Sequence, residues 1–102
     1  MNEKEIKSVL TVKAWRFYRR GKMPVTVDVL KQQGVQSSDE GQAADLIRDM
    51  ATDKDAPITW ASKGADIVEL DGNPAEETKG WVQSYALRHG MAEDELPWDL
   101  RE

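Results

Sequence analysis

A chain of 102 residues is the size of one domain, and it can bury a modest core without disulfides or metals to staple it. It has no Cys, which excludes disulfides, thiolate metal sites and Cys nucleophiles, and its 39% hydrophobic and 32% charged residues are ordinary for a globular protein. The net charge of −5 is unevenly spread: residues 1–36 hold eight Lys/Arg against three Asp/Glu, a net +5, and residues 37–102 hold six against sixteen, a net −10.

The first helix is predicted from about Glu3 to Arg20. At roughly 100° per residue, Ile6, Val9, Leu10, Ala14 and Phe17 form one apolar stripe with Tyr18 at its border. Gly21 ends the helix, and Pro24 forbids its continuation. A short second helix follows, with Thr26 as N-cap and Val25 packing on Leu30 as a hydrophobic staple. Val27 and Leu30 face inward, and Gly34 supplies a left-handed stop after Lys31, Gln32 and Gln33. The third helix opens at Ser37-Ser38-Asp39-Glu40, a capping-box pattern with Ser37 as cap and Glu40 reaching back. Its buried face is Ala43, Leu46, Ile47 and Met50; its outer face is Gln42, Asp45, Arg48, Asp49 and Thr52.

The period then changes. Residues 57–60 and 66–70 are short β-branched or aromatic runs separated by Ser62-Lys63-Gly64-Ala65, a hairpin signal in which Gly64 is the expected positive-φ position. Asn73-Pro74 with Glu76 reads as the cap of a fourth helix, which buries Val82, Tyr85 and Trp81 and stops at Gly90. The fold class is thus α+β and mainly helical, with residues 1–90 as the domain and 91–102 as an acidic C-terminal tail. The charges among residues 1–10 argue against a signal peptide, and no run reaches membrane-spanning length, so a cytoplasmic location without membrane contact is expected.

No catalytic constellation assembles. The single His89 sits at the end of the fourth helix, near the negative pole of its dipole. Asp45 and Asp49 share a helix face at i, i+4, but Arg48 beside them and their solvent-facing phase suit a solvated surface better than acid–base work. No glycine-rich phosphate loop is present. The expectation is a protein that is not an enzyme and takes no metal and no cofactor.

Lys13, Arg16 and Arg20 are spaced i, i+3, i+7 on one side of the first helix, with Arg19 and Lys22 nearby. Such a row can neutralise phosphates; the alternative is pairing with the acidic half of the chain. Trp15 falls off the main apolar stripe, and either stacks on a base or partner or packs under the hairpin or fourth helix.

The order helix, short helix, helix, hairpin, helix resembles the winged helix-turn-helix proteins, which use three helices and a two-stranded wing. The likeness covers roughly Ile6 to Leu70, and residues 14–26 are similar to the first-helix exit and second-helix cap of such domains in plasmid and phage DNA-binding proteins. The resemblance implies a small DNA-associated regulator or replication accessory factor, dimeric on palindromic sites, with the third helix entering the major groove. By position, the groove contacts would come from Ser37, Ser38, Gln42 and Arg48, with Lys63 near the tip of the wing.

The tail stretch Asp94-Glu95-Leu96-Pro97-Trp98 resembles the acidic tip with which bacterial single-strand DNA-binding proteins recruit partners, although here four residues follow the aromatic. That likeness implies a protein of nucleic-acid metabolism as partner, held by Leu96, Pro97, Trp98 and Leu100. The alternative is that Leu96, Trp98 and Leu100 fold back over the domain's own core. A second functional class also stays open: an acidic adaptor or inhibitor of a nucleic-acid enzyme that keeps the fold without binding DNA.

Overall fold

Asn2 begins the first helix, α1 (Glu3–Arg19), by a reciprocal cap: its side chain accepts from the Glu5 amide at 2.9 Å, and the Glu5 carboxylate accepts from the Asn2 amide at 3.3 Å. The other end closes as the sequence predicts, at Gly21. The Gly21 amide donates to Tyr18 O and the Lys22 amide to Phe17 O, a Schellman ending that satisfies two terminal carbonyls. In the computed structural model, which describes residues 2–71 and 75–101, α1 is followed by β1 (Val25–Thr26), α2 (Val27–Lys31), α3 (Glu40–Thr52), β2 (Ile58–Ser62), β3 (Ile67–Leu70) and α4 (Ala75–Arg88). The fold is α+β and mainly helical.

α1 is buried over more of its circumference than one stripe. Ile6, Leu10 and Ala14 are fully enclosed, but so are Ser8, Thr11, Val12 and Trp15, because α1 packs on α2, α3, α4 and β3. The two hydroxyls among them are satisfied by the helix itself: Ser8 Oγ donates to Glu5 O and Thr11 Oγ1 to Lys7 O. Val9, Phe17 and Tyr18 sit at the margin, half-buried.

The sheet is three-stranded and antiparallel in the order β1-β3-β2. β1 is only two residues long, with Val25 opposite Val68 and Thr26 opposite Ile67. Thr26 does two jobs: its backbone closes the strand, and its hydroxyl accepts from the Val29 amide to cap α2. Between β2 and β3 the register slips at Ala61, so that Trp60 opposes Val68 and Ser62 opposes Ile67. The left-handed residue of this hairpin is Asp66, at φ 60°, rather than the expected Gly64.

A second departure is the start of α3. Ser37 does not cap it; Ser37–Asp39 form a 3₁₀ turn, and the helix begins at Glu40 without a side-chain cap. The expected faces of α3 are observed, with Ala44 and Ala51 added to the buried side. In α4, Val82, Tyr85 and Ala86 face the core, while Trp81 is half-buried and donates its indole N–H to Asp55 O at 2.9 Å. The predicted cap at Asn73-Pro74, with the Glu76 side chain, lies outside the described residues. Gly90, at φ 91°, turns the chain out of α4. Two 3₁₀ turns, Glu93–Glu95 and Trp98–Leu100, then lay the tail back so that Leu96 and Leu100 join the same core as α1. Among the described residues, no helix is long and apolar enough to cross a membrane.

Candidate nucleic-acid interface

The outward side of α1 carries the basic row. Lys13, Arg16 and Arg20 line one cleft together with Phe17 and Gln33. They are brought to Gln33 by Gly34, whose φ of 76° lets the loop after α2 lie directly on α1 beside Lys13. Burial depresses the Lys13 pKa from its ordinary value, and the positive charges of Arg16 and Arg20 lower it further. Among the described residues, no carboxylate lies within ion-pair distance of Lys13, Arg16, Arg20 or Lys22. Arg19 differs: its Nε is 3.8 Å from Asp99 Oδ2, and its guanidinium lies 5.7 Å from the centre of the Trp15 ring.

Trp15 is 2% exposed, and its indole N–H donates to Asp99 Oδ2 at 3.1 Å. It is a wall between α1 and the tail and offers no free face for a base. Leu96 and Leu100, at 1% and 0% exposure, are likewise inside and cannot dock in an external pocket as the chain is folded. Pro97 is half-buried, and Trp98 projects outward at 83% exposure. The folded tail thereby creates a second groove, of about 580 Å³, in which Arg16, Arg19 and Arg20 of α1 face Leu96, Pro97, Trp98 and Arg101. Arg16 and Arg20 belong to both depressions, so the basic surface continues from Gln33 to Trp98. Sequence reasoning missed Gln33 and Arg101. Neither has a local signal, since each is placed by a loop or turn folding onto α1.

The groove candidates on α3 and the hairpin lie elsewhere. Ser37, Ser38 and Gln42 are exposed at the start of α3, and Lys63 is exposed in the β2–β3 turn. None of them lines either basic depression. Arg48 grips the same turn: its Nε and Nη2 donate to the two oxygens of Asp66 at 3.1 and 2.8 Å, and Asp45 lies 3.6 Å from Nη1. This bidentate pair holds the Asp66 carboxyl below its usual pKa and raises that of Arg48. The one cation of α3 is therefore already matched by Asp66 and Asp45, and Asp49, the other charge of its outer face, is negative. His89, at the end of α4, stacks on Tyr85 with ring centres 4.0 Å apart, and its Nδ1 lies 2.8 Å from Tyr85 O. Comparison of the chain with protein-family models, curated proteins and solved structures finds no match.

Proposed function

We propose that this chain is a winged-helix binding module, not an enzyme, that associates with DNA through its phosphates, in the manner of a small regulator or replication accessory factor. Support for the fold comes from element order: α1, α2 and α3 precede the β2–β3 hairpin, and β1, lying between the first two helices, adds to β3. The observation that carries the binding reading is the row Lys13, Arg16 and Arg20, which faces solvent along one helix with no carboxylate in ion-pair reach among the described residues. Phosphates are the partner such a row favours, because each neutralised phosphate releases a condensed counterion. The acidic outer face of α3 opposes deep entry into a major groove, so the affinity is expected to be electrostatic and weakly dependent on sequence.

The test is duplex DNA binding titrated against salt for the parent and for Arg16→Ala and Arg20→Ala. Each variant is expected to weaken binding and to lower the slope of log affinity against log salt by about one contact's worth. Unchanged slopes in both variants refute phosphate contact by α1. The neutralised Arg48 and the exposed Asp45 and Asp49 favour a second reading, an acidic adaptor that meets a basic protein surface. An absence of retardation of DNA at low salt, duplex or single-stranded, leaves that reading as the working one.

A further inference from the structure

Trp98 is the most exposed large apolar side chain among the described residues, and its exposure is built into the register of the tail. Leu96 and Leu100, two positions to either side, are both buried, so the 3₁₀ turn between these anchors points Trp98 away from the core. Arg101 ties the turn down, donating from Nε to Leu96 O and from Nη2 to Asp94 O, both at 2.8 Å. The indole is therefore presented on a fixed support, and its neighbours are cations. Four arginines line the groove it borders, against two carboxylates, and one of these, Asp99, is already engaged by the Trp15 N–H and by Arg19.

A duplex offers phosphates to such a groove but keeps the faces of its bases stacked inside. The carboxylates of an acidic peptide would satisfy the arginines but offer no π face to the indole. A single strand supplies both charges and open π faces, the combination used by cationic channels with aromatic platforms. We infer that the groove between α1 and the C-terminal turn binds single-stranded nucleic acid, with a base stacked on Trp98 and the backbone held by Arg16, Arg20 and Arg101. This deepens the phosphate-binding reading above and rests on it.

The experiment measures anisotropy of the full chain with four labelled probes at low salt: a short oligo-dT, an abasic oligomer of equal length, a duplex, and a charge-matched oligoglutamate. The parent is expected to bind oligo-dT more tightly than the abasic strand. Trp98→Ala is expected to lose about tenfold on oligo-dT, to fall to the abasic level, and to keep its circular dichroism melt. Trp98→Phe, which retains a π face, is expected to recover most of the loss. If Trp98→Ala binds oligo-dT as the parent does while Arg16→Ala still lowers the salt slope, stacking is overturned and phosphate binding by α1 stands. Equal binding of a charge-matched oligoglutamate, with the same dependence on Trp98, overturns the single-strand assignment in favour of an acidic protein partner. If none of the nucleic acids binds, both this inference and the reading beneath it fall.

Discussion

Gly34 sits where neither the backbone nor the space around it suits another residue. Its φ is 76°, and an added Cβ would lie 2.7 Å from Val9 Cγ1 and 3.1 Å from Lys13 Cε. Lys13 Cε belongs to a flexible chain and can retreat; Val9 is β-branched, on a helix, and cannot do so freely. Gly34→Ala is therefore expected to destabilise the fold by at least about 1–2 kcal/mol, the cost of a left-handed alanine alone, as measured by urea denaturation. A cost below about 0.5 kcal/mol would show that the loop does not press on α1 as described. Trp15 makes a related point about chemistry. As an isolated sequence position it suits a base or a core equally, and what assigns it is Asp99, eighty-four residues away, accepting its N–H.

The elements divide by length and by what covers them. The long helices carry enough turns for periodicity to predict them, and α1 and α3 are found within about a residue or three of the expected bounds. β1 has two residues, too few to show any period, and exists because β3 offers it an edge. The start of α3 follows a 3₁₀ turn in place of the Ser37 capping box, since Gln36 to Asp39 tighten before the helix begins. The tail is the element whose role turns most on packing. Leu100→Ala is expected to cost about 2–5 kcal/mol and to red-shift the emission of Trp15 as water reaches it, whereas Trp98→Ala is expected to change stability by no more than about 0.5 kcal/mol. Equal effects of the two substitutions on the thermal midpoint would contradict the folded-back tail.

At the scale of the molecule, the charge asymmetry is only partly resolved by internal pairing. Of the basic side chains before Met23 proposed for phosphate contact, Arg19 alone has a partner from beyond Gln36 within ion-pair distance among the described residues, and the rest keep their charge toward solvent. Stability is expected to vary with pH at both extremes. The Asp66 carboxyl is lowered chiefly by its hydrogen bonds to Arg48, so its contribution is present above the ordinary value of 3.8 and is lost as pH falls below it. The Tyr85 phenol is pushed up to about 12, mainly by burial with Asp53 adding to it, so the unfolded chain ionises first. Between pH 10 and about 12 the folded state then binds more protons than the unfolded one, and stability falls as pH rises. Tyr85 OH is buried without a hydrogen-bond partner, so Tyr85→Phe is expected to be neutral or stabilising by about 1 kcal/mol at pH 7 and to flatten the alkaline decline in thermal melts. A steeper decline in the variant would refute this. The sequence alone determined which segments are helical, where glycines end them, and which side of α1 is cationic, because these depend on spacing within one element. Only the tertiary structure decided that Arg48 is spent on Asp66, that Leu96 and Leu100 turn inward while Trp98 turns out, and that the tail meets α1 in a basic groove. Each of those outcomes is a contact between residues distant in the chain, and no local pattern encodes which distant partner a side chain will meet.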